Sequence, residues 1–157
     1  MSNTPLGKLA VAIATLGPVG HFPKAPGTWG SLAALVAAPW LFLDLALGWR
    51  IFLLTVLFFV GVWACNNGER ACGEKDPSCV VVDELFGMWL TLLFFPGLPL
   101  WYLLVGFAAF RFFDILKPWP IKWAEHAFPG GAGIMLDDAA AGIYALGVLH
   151  LIAHFIQ

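Results

Sequence analysis

Charge is scarce in this chain: 11% of its 157 residues are Asp, Glu, Lys or Arg, against about 25% in an average soluble domain. Such a shortfall excludes an ordinary solvated surface. With 61% apolar residues and a mean hydropathy of +0.84, the composition is of membrane grade. Cysteine is also sparse. Cys65, Cys72 and Cys79 form neither a paired framework nor a Cys-x-x-Cys metal motif, which excludes a disulfide scaffold. Their spacing of seven would align them along a helix, but Gly73 and Pro77 interrupt it, so they are expected to be inert. No basic stripe accompanies the net charge of −2, which argues against a nucleic-acid partner. Several catalytic signatures are missing as well. There is no Gly-Lys-Ser/Thr phosphate loop, no dinucleotide fingerprint, no cysteine-phosphatase loop, no Asp-x-Asp aspartyl-phosphatase motif and no Gly-x-Ser-x-Gly elbow.

What is present is a set of long apolar runs. Residues 25–43, 51–68, 85–110 and 139–157 carry no Asp, Glu, Lys or Arg, each near or above the roughly 18 residues of a candidate membrane helix. Residues 9–23 form a shorter run. Its apolar core is about as short as a signal h-region can be, roughly 7 residues, and no polar domain follows, so the segment is expected to be retained. Because β-alternation is absent and lipid-facing backbone must satisfy its own hydrogen bonds, the runs should be helices. The expected fold is an all-α integral membrane bundle of about five to six helices, some short or partly embedded, in one domain over residues 1–157. Helices are expected from about Ser31 to Leu47, from Arg50 to near Cys65, from near Cys79 to Pro96, from Pro99 to Phe113 or beyond, and after Pro129-Gly130-Gly131. The segment Asn66–Ser78 reads as a polar loop. If successive helices alternate, the loops at 17–30, 66–84 and 111–138 share one face. That face holds Lys24, Arg70, Lys75, Arg111, Lys117 and Lys122, whereas the other keeps only Arg50. The asymmetry puts the polar face in the cytoplasm.

Five acids stand at the edges of these runs: Asp83, Glu84, Asp114, Asp137 and Asp138. Ionised groups so close to hydrocarbon persist where they face one another, a cation or water. With Arg111 and Lys117 the group sums to −3, leaving room for one or two divalent cations and a phosphate. Asp83 and Glu84 sit about one turn inside their expected helix and can reach one ion or two, or else complement the helix dipole. Arg111, Asp114 and Lys117 follow i, i+3, i+6 along one helix side, which suits either phosphoryl chemistry or a salt-bridge ladder. Asp137 and Asp138 enter the last helix as metal ligands or as cap and first-turn acids. Pro26-Gly27-Thr28-Trp29-Gly30-Ser31 is a phosphate cradle at a helix start or a plain loop capped by Ser31. His21 and His126 are candidate accessories, while His150 and His154 fall far from the acids. Carboxylate-bound metal hydrolysis is one reading of the set. An ion or proton transporter using intramembrane carboxylates and a noncatalytic assembly partner are the others.

Four ordered segments then carry a resemblance: Pro26–Ala33, Val82–Trp89, Arg111–Ile121 and Gly130–Asp138. Together they resemble bacterial phosphatidylglycerophosphatase A across almost the whole chain. The resemblance implies an all-helical, Mg²⁺-dependent inner-membrane enzyme that converts phosphatidylglycerophosphate to phosphatidylglycerol and phosphate. On that basis Asp83, Glu84, Asp114, Asp137 and Asp138 are expected to hold Mg²⁺, with one carboxylate accepting a proton from water. Arg111 and Lys117, helped by Thr28 and Ser31, would bind phosphate. A covalent aspartyl-phosphate is the mechanistic alternative. The implied partners are the phospholipid and the bilayer.

Overall fold

The computed structural model describes residues 4–97, 99–119 and 121–156, with the side chains of 124–126 outside that description. All regular elements among the described residues are helical. They are α1 (Pro5–Ala14), α2 (Pro26–Leu41), α3 (Leu47–Cys72), α4 (Val82–Thr91), α5 (Leu100–Leu116), α6 (Ile121–Ala127) and α7 (Gly131–Ile156), with a 3₁₀ turn at Val19–His21. The count of seven exceeds the expected five to six, because residues 5–14 and 121–127 form short helices of their own.

Several boundaries depart from expectation, each for a tertiary reason. Helix α2 starts at Pro26 rather than Ser31: Ala25 takes a left-handed conformation (φ 49°) and Pro26 fills the first helical position. Ser31 is therefore not a cap, and its hydroxyl donates back to the Gly27 carbonyl at 2.9 Å. Helix α3 continues through the supposed polar loop to Cys72, and Asn66 and Asn67 turn their amides back onto Val62 and Trp63 carbonyls. Helix α4 begins at Val82, not Cys79, because the Val81 N–H is committed to the Ala14 carbonyl of α1 at 2.8 Å. This places Asp83 and Glu84 in the first turn instead of one turn inside. Helix α7 begins at Gly131, whose N–H is capped by the Asn66 side chain of α3 at 3.0 Å. Asp137 and Asp138 thus stand nearly two turns inside α7, which removes their capping role. Cys72 and Cys79 do meet, Sγ to Sγ at 3.2 Å, but across the loop 73–78 rather than along a helix.

Helices α3 and α7, 26 residues each, are the two described helices long and apolar enough to cross a membrane, so most of the expected bundle consists of shorter helices. The run 85–110 is divided between α4 and α5, and α4 with ten residues rises only about 15 Å.

The core lies where α4 is enclosed by α2, α5 and α7, around fully buried Phe42, Met88, Leu92, Phe110, Met135 and Leu149. Trp89 ties α4 to α2 by stacking on Phe42 (5.1 Å) and donating to the Ala34 carbonyl at 2.9 Å. A close seam joins α4 to α7. A Cβ on Gly142 would lie 2.6 Å from the Gly87 carbonyl oxygen, and one on Gly87 would lie 2.7 Å from that of Asp138. Backbones meet there because neither residue carries a side chain, as in small-residue helix crossings generally.

At the other end of α4, Arg50 is 3% exposed. Its guanidinium donates to the Leu43, Leu45, Leu93 and Phe95 carbonyls at 2.5–3.1 Å and sits 5.7 Å from the Phe42 ring centroid. The sequence reading counts Arg50 as a loop cation. It is instead a buried tie between the ends of α2 and α4.

Gly142→Ala forces a methyl onto backbone and should lower stability by about 1–3 kcal/mol. Gly147→Ala, with nothing within 4 Å of its Cβ position, should be neutral or raise stability by about 0.5–1 kcal/mol. Unfolding midpoints of the two variants in one detergent check the contrast.

Candidate metal and phosphate site

Helices α2, α4, α5 and α7 line one cavity of about 370 Å³, α2 through Pro26 and Gly27. The first turn of α4 supplies Asp83 and Glu84, the last turns of α5 supply Arg111 and Asp114, and α7 supplies Asp137 and Asp138. Lys117 arrives by a backbone device. It leaves α5 in the left-handed region (φ 43°), its N–H bonded to the Phe113 carbonyl, as the following proline disfavours helical geometry there. Its Nζ then donates to Asp137 Oδ2. All five singled-out acids and both bases line this cavity.

The bases are not evenly shared. Arg111 Nη1 lies 2.5 Å from Asp114 Oδ2 and 3.7 Å from Glu84 Oε1. Asp83, Asp137 and Asp138 are 8%, 5% and 3% exposed, yet Asp83 Oδ1, Glu84 Oε2 and Asp138 Oδ2 have no hydrogen-bond partner among the described residues. Burying a carboxylate without a partner costs several kcal/mol, on the order estimated for unpaired buried ions. Burial, with the neighbouring Glu84 charge, pushes Asp83 well above the usual carboxylate range. Burial and Asp138 hold Glu84 up to about 8. Nearby positive charge is what would return these groups to their ionised form.

The oxygens are arranged to receive it. Asp83, Glu84 and Asp138 offer ligand atoms all within 4.8 Å of one another, and so do Asp114, Asp137 and Asp138. An all-oxygen donor set of this kind fits a hard divalent cation, and the unpartnered oxygens give it a place to bind.

Other expected residues take different positions. Ser31 is fully buried and lies behind the cavity wall, receiving Arg111 Nη1 at 3.4 Å. Thr28 lies in the first turn of α2, half-buried and outside the cavity lining. His21 lines a separate pocket with Lys8. His150 packs on the Phe94 and Phe95 rings beyond the far end of α4, and His126 lies outside the described side chains. Of the acids that line the cavity, one went unread in the sequence, and Gly27 of the expected cradle has a closer role than expected. Asp76 stands on the cavity side of the loop before α4, and no spacing marks it. A Cβ on Gly27 would collide with the Glu84 carboxylate and come within 3.3 Å of Arg111 Nη1. The Pro-Gly pair at a helix start was the available signal, since only glycine lets backbone approach so closely.

The family model described as phosphatidylglycerophosphatase A matches residues 12–153. The chain belongs to that family. It is 39% identical to phosphatidylglycerophosphatase A of Escherichia coli (strain K12) over 98% of this chain and 86% of that protein. The protein of that name from Haemophilus influenzae (strain ATCC 51907) is 38% identical over 98% of this chain and 97% of its own length. A Bacteroides thetaiotaomicron protein, provisionally described as a phosphatidylinositol-3-phosphatase, is 46% identical over 87% of this chain and 89% of its own. No solved structure matches. Membership makes the chain a lipid phosphatase and lends the transporter alternative no support.

Gly27→Ala should lower phosphatase activity by about 100-fold, the scale of a displacement near 1 Å at a reacting centre. Kinetics on protein shown by circular dichroism to be folded check this.

Proposed function

We propose that this chain hydrolyses phosphatidylglycerophosphate to phosphatidylglycerol and inorganic phosphate, with Mg²⁺ held by Asp83, Glu84, Asp114, Asp137 and Asp138. The observation that carries the reading is the buried, partly unpartnered acid cluster sharing one cavity with Arg111 and Lys117. Bound Mg²⁺ would supply charge neutralisation at the phosphoryl oxygens, and it suits a shell of carboxylates and water. Arg111 presents a planar fork and Lys117 a mobile point charge to those oxygens. The start of α2 at Pro26 and Gly27 adds the positive end of a helix. Thr28 belongs to that turn, and Ser31 acts on the phosphate indirectly by holding Arg111. Water attacks phosphorus as the bond to the glycerol oxygen breaks; one carboxylate not fully engaged with metal takes the proton lost by water and passes it to the departing glycerol oxygen.

The setting is the bacterial inner membrane, with the site facing the cytoplasm. Only 22% of the apolar window of α3 and of α7 is buried within the fold, so the rest needs an apolar surrounding. Trp40, Trp119 and Phe155 are 71%, 81% and 82% exposed, as lipid-facing or interfacial aromatics would be. Pro26 and Gly27 of α2, the first turn of α4, the last turns of α5 and the acids of α7 line one cavity, and Arg70 and Lys75 line a neighbouring pocket with Pro129 and Gly130 just before α7. This is the cationic, cytoplasmic end. All five acids lie at that end rather than at successive depths, which suits a headgroup site and not an ion path. One domain over residues 1–157 suffices for this reading.

Phosphate release from detergent-solubilised phosphatidylglycerophosphate by the full-length protein should require Mg²⁺ and fall to background in EDTA. Phosphatidylinositol 3-phosphate should be the poorer substrate, since relatives named for the glycerol lipid cover 98% of this chain. Asp83→Asn combined with Asp138→Asn should abolish release. Undiminished turnover in EDTA or in that double variant would refute the metal assignment.

A further inference from the structure

We propose that the cavity takes a second divalent cation only together with a phosphate group, because Arg111 and Lys117 occupy the second site's carboxylates until an anion draws them away. This rests on the metal-phosphatase reading above and adds an order of assembly to it.

The two acid triads, Asp83–Glu84–Asp138 and Asp114–Asp137–Asp138, share Asp138 and are equally compact, every ligand oxygen within 4.8 Å of the others. They differ in what already neutralises them. Asp114 is paired to Arg111 at 2.5 Å, and Asp137 accepts the Lys117 ammonium. In the first triad the one ion pair among the described residues is the long contact from Arg111 to Glu84, 3.7 Å. There Asp83 Oδ1, Glu84 Oε2 and Asp138 Oδ2 have no hydrogen-bond partner, and Asp83 and Asp138 are more than nine-tenths buried. The first ion therefore goes to Asp83–Glu84–Asp138.

A second ion at Asp114–Asp137–Asp138 meets two positive groups holding two of its three ligands, and like charges at such range repel strongly in a site this shielded from water. Phosphate oxygens also offer Arg111 and Lys117 replacement acceptors, which frees Asp114 and Asp137. Because binding linkage is reciprocal, the second cation must then raise phosphate affinity by the same factor.

Mn²⁺, counted by electron paramagnetic resonance on the detergent-solubilised full-length protein with and without inorganic phosphate, tests this. One tightly bound Mn²⁺ per chain is expected without phosphate. With phosphate a second should bind at least about 10-fold more tightly than before, within the usual range of site-to-site coupling, and the two signals should broaden one another. In Lys117→Met the second ion should bind without phosphate and gain little from its addition. In Asp114→Asn the first ion should persist and the second be lost in both conditions, with circular dichroism reporting that each variant is folded. Two ions bound with equal affinity whether or not phosphate is present, or one ion at every phosphate concentration, would overturn the coupling while leaving the metal reading intact. No Mn²⁺ bound under any condition would overturn both.

Discussion

The crossing of α4 and α7 at Gly87 and Gly142 is the constraint on which the site depends. Asp83 and Glu84 lie one turn before the crossing on α4, and Asp137 and Asp138 lie one turn before it on α7. Contact between the two backbones therefore brings four carboxylates within reach of one another without any attraction between them. The seam does so against their mutual repulsion, which van der Waals contact between closely packed helices can offset. Phe110 presses on the same glycine from α5, so the helix bearing Arg111 and Asp114 is registered against the same point.

Once gathered, the acids set the chemistry. A buried group of five carboxylates with two bases is unstable as a set of free anions. It can resolve that by protonation, by internal ion pairs or by bound cations. Several answers are present together: Glu84 is held up to about 8, Asp114 and Asp137 are paired to bases, and other oxygens are left open. The position of Lys117 in a left-handed, pre-proline conformation belongs to the same arrangement, because a continuing helix would have carried its ammonium past Asp137.

Much of this was legible in the sequence, and the reason is specific. Charged residues in an apolar chain are so few that each is informative, and the five acids and two bases stood out on that ground alone. Helical class followed from uninterrupted apolar runs. Helix starts were misplaced because they depend on distant partners: the Ala14 carbonyl for α4, the Asn66 side chain for α7. Gly87 and Gly142 were invisible for a different reason. Glycine is common in membrane-type helices, and only the neighbour across the seam distinguishes Gly142 from Gly147. Ser31 is expected either as a cap or as a phosphate donor and Arg50 as a turn cation, because each type of residue usually plays those parts. Their actual partners come from elsewhere in the fold.

The Arg50 tie keeps water away from one end of α4. Helix α4 stops after ten residues, and the carbonyls after its last turn would otherwise call for water. One guanidinium answers those at Leu93 and Phe95 along with Leu43 and Leu45, so no hydration is needed on that side. The cavity can then be sealed at that end of α4 and open where the acids stand.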